Sequence, residues 1–229
     1  MVQDKRLLAI SQMIIKGKSL ADIGTDHAYL PVYLIKNELV PRVIATDVAE
    51  GPYARAVKEV AKWGFKDRIE VRKGDGLKVL QKGEVYNVVI AGMGGETIAS
   101  ILEEDWAKAE SFGHFVLQPM SKPDVLRNVL ASRGWIILDE KVVGEKDKFF
   151  VLLSSRPGDK PYSLSPLEAE LGPVILKSKE YLPFLRYYLK KYQRIVAELN
   201  KSQGEEKKDL LIKYRAKIKE LKEVLHGQG

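Results

Sequence analysis

Along the first 150 positions, short continuous apolar runs alternate with segments whose apolar residues fall three and four apart. Residues 4–15 carry Leu7, Ile10 and Ile14 at helical spacing, and Gly17 is placed to end that helix. The run from Ser19 to Ile23 predicts a strand that breaks at Gly24. A helix over about 29–37 follows, with Pro31 in its first turn, where a missing N–H costs little. Val43–Asp47 predicts a second strand, and Glu50-Gly51-Pro52 opens a helix that stops at Trp63-Gly64. Ile69–Lys73 alternates and runs into Gly74-Asp75-Gly76. Tyr86–Ala91 is apolar apart from Asn87, as a buried parallel strand requires. It breaks at Gly92-Met93-Gly94-Gly95 before a helix at about 96–103. A fifth strand, His114–Gln118, precedes a helix from about Pro123 to Arg133, and Trp135–Leu138 with Phe149–Leu153 predicts a closing antiparallel pair. His114 is read as structural.

The rhythm changes after Ser154-Ser-Arg-Pro-Gly158. Ser165-Pro166-Leu167-Glu168 reads as a capping box, and Gly172-Pro173 stops the short helix it opens. From about Ser178, Leu182, Leu185, Leu189, Tyr192, Val196 and Leu199 predict one long amphipathic helix. Ser202-Gln-Gly-Glu205 reads as a second capping box, and Leu211, Tyr214, Ile218, Leu221 and Leu225 continue the stripe. The expectation is an α/β chain in two parts. Residues 1–160 form a doubly wound Rossmann-like sheet, and residues 161–229 form a helical hairpin close to a coiled coil.

Composition narrows the chemistry. None of the 229 residues is cysteine, which excludes disulfides, thiolate zinc sites and cysteine nucleophiles. The three histidines are scattered, so no metal site is expected. No apolar run reaches membrane-spanning length, and the stretch after Asp4, Lys5 and Arg6 lacks the core of a secretory signal; a cytoplasmic protein, monomeric or weakly self-associating, is expected. The net charge is +7. Residues 161–229 hold 14 lysines and arginines against 9 acids, and residues 1–160 hold 24 against 22, so the excess sits in the hairpin. Arg186, Lys190, Lys191 and Arg194, with Tyr187 and Tyr188 between them, suit an RNA backbone; a solvated helical face is the plain alternative.

Candidate chemistry gathers at the carboxyl ends of the predicted strands, where doubly wound folds bind ligands. Asp22 ends the first strand, beside the glycine turn. In that turn Asp26 and Ala28 stand where a dinucleotide site places further glycines, so a pyrophosphate would meet a negative side chain. This argues for a ligand without phosphates and with positive charge, a description S-adenosylmethionine fits. Read without a ligand, Asp26 is a helix N-cap. Asp47, 25 residues after Asp22, suits ribose hydroxyls, and Asp75 suits an adenine amino group approaching over Gly76. Ala91, Gly92 and Met93 suit the floor of the pocket under a reacting methyl group, with Gln118 at the neighbouring strand end.

At Asp22-Ile-Gly-Thr-Asp-His-Ala-Tyr-Leu-Pro31, Glu50-Gly-Pro-Tyr53, Ala91-Gly-Met-Gly-Gly95 and Leu117-Gln-Pro119, the chain closely resembles the bacterial tRNA adenine-22 N1-methyltransferase family. The resemblance extends to Leu171-Gly-Pro173 and Lys219–His226. It implies a class I S-adenosylmethionine-dependent fold acting on tRNA. Cofactor contacts are expected from Asp22, Gly24, Asp26, His27 and Tyr29; from Asp47, Val48, Asp75 and Gly76; and from Ala91, Gly92 and Met93. Asp26 and His27 are the catalytic candidates, and Gln118, Arg186, Lys190, Lys191 and Arg194 the substrate contacts. Met120 stands where the family has asparagine after Gln-Pro. Two other readings remain open: a methyltransferase for a protein or small metabolite, and a non-catalytic nucleotide-binding module.

Overall fold

A computed structural model describes residues 4–145, 148–201 and 205–228. The chain separates into two compact units, Met1–Tyr162 and Ser163–Gly229. In the first, strands β1 (Leu20–Ile23), β2 (Val43–Asp47), β3 (Ile69–Lys73), β4 (Asn87–Met93), β5 (His114–Pro119), β6 (Ile136–Glu145) and β7 (Lys148–Arg156) form one sheet in the order β3-β2-β1-β4-β5-β7-β6. The first five strands run parallel, whereas β7 is antiparallel to both β5 and β6. Helices α1 (Lys5–Met13), α2 (Tyr29–Lys36), α3 (Glu50–Lys62), α4 (Gly95–Glu103), α5 (Trp106–Ala109) and α6 (Pro123–Ser132) connect or flank the strands. The strand order reverses between β1 and β4, the switch point at which such sheets open a crevice.

The run read as a buried parallel strand, β4, is buried over its first four residues and opens towards Met93, while all four residues of β1 and all six of β5 lie inside. The antiparallel pair is longer than the apolar alternation indicates, and a register shift between Ile137 and Asp139 moves Asp139 out of step. His114 is a core residue. Its Nδ1 lies 3.1 Å from Asn87 Oδ1 and its Nε2 2.8 Å from Ser154 Oγ, while burial pushes its pKa down. The same Asn87 accepts from the Ile15 N–H and donates to the Ile15 carbonyl at 2.9 and 3.0 Å, fastening the chain just after α1 to the sheet.

Arg127 on α6 and Glu140 on β6 pair inside the protein, Nε to Oε1 at 2.7 Å, with both side chains 0% exposed. Two charges removed from water hold their place only as a pair. Glu140→Ala therefore lowers unfolding free energy by about 3–5 kcal/mol, read as an earlier urea midpoint. Replacing both residues with apolar ones recovers much of that loss, because no lone charge is left buried.

In the second unit, the Ser165 capping box forms as expected and opens α7 (Pro166–Leu171), which ends at Gly172. The long helix begins later than its apolar pattern suggests. Two single turns, Ile175–Lys177 and Lys179–Tyr181, precede α8 (Leu182–Leu199), because Pro183 is tolerated only in a helix's first turn. Helix α9 (Glu205–Gly227) packs against α8, with the Tyr192 and Tyr214 ring centroids 5.6 Å apart and Leu185, Tyr192 and Leu221 buried. The second predicted capping box, Ser202–Glu205, falls outside the described residues. Lys217 is buried on the apolar stripe, paired with Glu170 and lying over the Tyr192 and Tyr214 rings at 5.7 and 5.5 Å. Arg186, Lys190 and Arg194 are exposed, and Lys191 is half-buried over the Tyr188 ring at 5.0 Å.

Candidate functional site

Asp22 is the last but one residue of β1, and only 6% of it is exposed. Thr25 Oγ1 donates to its carboxylate at 2.6 Å. Burial raises its pKa to about 6; the Thr25 hydrogen bond opposes the shift and the nearby Asp47 charge adds to it. Among the described residues no cation pairs with it. The Gly24 and Thr25 N–H groups both donate to the Thr46 carbonyl at 2.8 Å, which ties the glycine turn to the end of β2. Gly24 has φ +79°, and a Cβ there would lie 2.3 Å from the Met93 methyl, so the turn admits no other residue cheaply.

Beyond Gly24 the loop is strained. Asp26 and Ala28 hold positive φ, 43° and 53°, without being glycine. Asp26 is not a helix cap: the cap position of α2 is Ala28, with no side-chain hydrogen bond. The Asp26 N–H instead donates to Asp47 Oδ2 at 3.3 Å, and its carboxylate pairs with Arg55 of α3 and lies 3.5 Å from His27 Nε2. The His27 ring stacks on Tyr29, centroids 5.0 Å apart and 6° from parallel, and Tyr29 is exposed.

These elements surround a cleft of about 440 Å³. Asp22, Gly24, Asp26, His27, Tyr29, Ala91, Gly92 and Gln118 line it, eight of the seventeen expected site residues. Gly92, at φ +80°, presents its α-carbon to open space. Gln118 is buried and uses its Oε1 to accept the Gly92 N–H at 3.2 Å. Its amide nitrogen donates to the Pro119 carbonyl and to Met120 Sδ, leaving its polar ends engaged within the protein. Asp47, Val48, Asp75, Gly76 and Met93 do not line the cleft. Asp47 ends β2 and Asp75 lies two residues beyond the neighbouring β3, and the Gly74 N–H donates to the Asp47 carbonyl at 3.0 Å. Asp75 is held by Lys78 at 2.9 Å. Arg186, Lys190, Lys191 and Arg194 belong to the helical unit.

Six wall residues were not picked out as site residues from the sequence: Thr25 and Leu30 lie within the glycine-turn segment, and the other four come from the N-terminal helix and its cap. Asp4, Arg6, Leu7 and Ile10 of α1 and its cap form one side of the cleft. Their only sequence signal is the amphipathic spacing of α1, which says that one face is covered but not by what. Arg55 was also missed as the partner of Asp26; the two are 29 residues apart.

The profile of the family described as "Methyltransferase domain" matches residues 3–153. A Bacillus subtilis (strain 168) protein named tRNA (adenine(22)-N(1))-methyltransferase is 34% identical over 232 residues, covering 97% of each chain. The chain belongs to the tRNA (adenine-22 N1)-methyltransferase family. Among solved structures, the B. subtilis M1A22 tRNA methyltransferase TrmK superposes with a TM-score of 0.84 at 33% identity, covering 96% of this chain and 97% of that one. Streptococcus pneumoniae Sp1610 in complex with S-adenosyl-L-methionine superposes with a TM-score of 0.82 at 35% identity, covering 99% and 100%. The cleft fits a ligand of that kind: a buried carboxylate without a cation answers a positive group, and the open face of Gly92 leaves room beside it. No helix among the described residues is long and apolar enough to cross a membrane, and none of their His, Asp and Glu side chains cluster as a metal site.

Proposed function

We propose that the chain methylates N1 of adenine 22 in tRNA, with S-adenosylmethionine as donor, in the cytoplasm. The observation that carries this reading is the cation-free Asp22 beside the open glycine face, at the switch point of a sheet that matches tRNA adenine-22 methyltransferases over nearly their whole length.

When bound, the cofactor supplies an electrophilic methyl group next to a positive sulfonium. Adenine N1 already carries a lone pair at neutral pH, so the protein has no nucleophile to deprotonate. Its work is alignment and electrostatics. Asp22 provides the negative wall at the bottom of the cleft. Asp47, whose carboxylate already accepts from the Ala49 N–H at 2.9 Å, stands at the neighbouring strand end to hold ribose hydroxyls. The stacked His27–Tyr29 pair offers an exposed ring face against which a target base can lie. Asp26 balances positive charge growing on the base, and its pairing with Arg55 fixes where that charge sits. Arg186, Lys190, Lys191 and Arg194 supply phosphate contacts from the helical unit.

Incubating the purified protein with S-adenosylmethionine and unmodified tRNA, then analysing nucleosides by mass, yields 1-methyladenosine. A tRNA carrying guanine at position 22 yields none. Methylation of the guanine variant, or no methylated nucleoside from either tRNA, would defeat the proposal.

A further inference from the structure

The cofactor read into the cleft ends in an amino acid, which bears a carboxylate as well as an ammonium. Asp22 answers the positive end. Among the residues lining the cleft, Asp4, Asp22 and Asp26 are acids, and Arg6 is the one arginine or lysine. We propose that Arg6, in the first turn of α1, holds the cofactor's carboxylate in the cleft it shares with Asp22, which makes the N-terminal helix part of the cofactor site. This rests on the S-adenosylmethionine reading above.

The guanidinium is oriented and incompletely used. It lies over the Phe150 ring of β7, 4.9 Å from its centroid, and this fixes its plane. Asp4 takes Nε at 3.4 Å and Nη2 at 3.2 Å, both long for contacts between ions. The third nitrogen, Nη1, faces only the Met120 thioether at 3.7 Å, and sulfur is a weak acceptor. An arginine with five donors, at a cleft wall, thus spends few of them at full strength within the protein. A carboxylate suits them, because the planar fork matches two oxygens at once. Asp4 meanwhile keeps the side chain at the wall in the ligand-free chain, and the Asn87 bonds to Ile15 anchor the far end of the helix. An RNA phosphate is the rival occupant. It is disfavoured by position: the Arg6 side chain is 29% exposed and turned into the cleft, whereas Arg186, Lys190 and Arg194 stand out in solvent.

Calorimetric titration separates the two. S-adenosylhomocysteine carries the carboxylate, 5′-methylthioadenosine lacks the whole amino-acid end, and decarboxylated S-adenosylmethionine lacks only the carboxylate. Arg6→Ala weakens S-adenosylhomocysteine about 10- to 100-fold, the worth of a charged hydrogen-bonded contact. Its affinity for the two carboxylate-free ligands stays at the wild-type value, which also shows that the variant is folded. Arg6→Lys falls between, since it keeps the charge and loses the fork. Equal weakening of S-adenosylhomocysteine and 5′-methylthioadenosine would overturn the inference by making Arg6 a support for the helix. Unchanged S-adenosylhomocysteine binding with a raised KM for tRNA would overturn it in favour of the phosphate. If the wild-type protein binds none of these ligands, the cofactor reading itself fails and this inference with it.

Discussion

Asp22→Asn raises the melting temperature of the ligand-free protein at pH 8 and removes its affinity for S-adenosylmethionine. Asp22 has a pKa near 6 in the folded chain against an ordinary 3.8, mainly because burial penalises its charge. Between about pH 4 and 6 the folded state therefore binds more protons than the unfolded one. Stability falls as pH rises through that window and stays reduced above it, the reverse of the usual paired carboxylate. A shift of this size is worth about 3 kcal/mol, and asparagine recovers only part of it, because its amide nitrogen needs a partner that the carboxylate did not. For a chain of this length a gain of about 1–3 kcal/mol raises the melting temperature by several degrees. The difference between variant and wild type shrinks towards zero at pH 4, where Asp22 is protonated. Saturating cofactor reverses the ranking, because it stabilises only the chain that binds it. A gap in melting temperature that does not depend on pH, or a variant still stabilised by the cofactor, would contradict this account. The carboxylate then reads as a local instability retained for binding.

Much of the fold was legible because its signals are local. The apolar run of β4 and the glycine stop after α3 are dictated by residues within a few positions of each other. The expected site edge was legible for the same reason, since Asp22, Asp47 and Gly92 each stand near the carboxyl end of a recognisable strand. What escaped depends on contacts between distant residues. Alternation identified β6 and β7 as a pair but carried no sign that β7 would lie inside, between β5 and β6. Arg127 looks like a surface residue until Glu140 is brought beside it. Asp26 was expected as a helix N-cap or a catalytic candidate, with no sign that Arg55 would reach it from α3. The α1 wall of the cleft escaped altogether, because amphipathic spacing marks a covered face without naming its cover. Lys217 is a different case. It falls three after Tyr214 and four before Leu221, so its burial was readable from the stripe, and only its charge argued against it.

Replacing Arg186, Lys190 and Arg194 together with alanine raises the Kd for tRNA at least about tenfold near physiological salt and flattens the slope of log K against log salt by about 2–3. The three side chains stand four apart on α8, so they form one stripe along the helix. All three are exposed, and among the described residues none forms an ion pair, so their removal costs the fold little. Lys191 is left in place because its ammonium lies over Tyr188; removing it would mix a packing change with a charge change. The same unit holds a groove of about 750 Å³ lined by Arg186, Leu189, Lys219, Lys222, Glu223, Leu225 and His226, so basic residues of α9 join Arg186 there, with Glu223 among them. An RNA backbone that follows this surface releases counterions at each contact, and the salt slope counts them. The loss appears in KM for tRNA. Turnover at saturating tRNA and affinity for S-adenosylhomocysteine hold at wild-type values, because the cleft residues are untouched. A variant whose tRNA affinity and salt slope match the wild type would return this helical face to a plain solvated surface. A loss of turnover with unchanged tRNA affinity would mean that the helical unit shapes the reaction rather than grips the substrate.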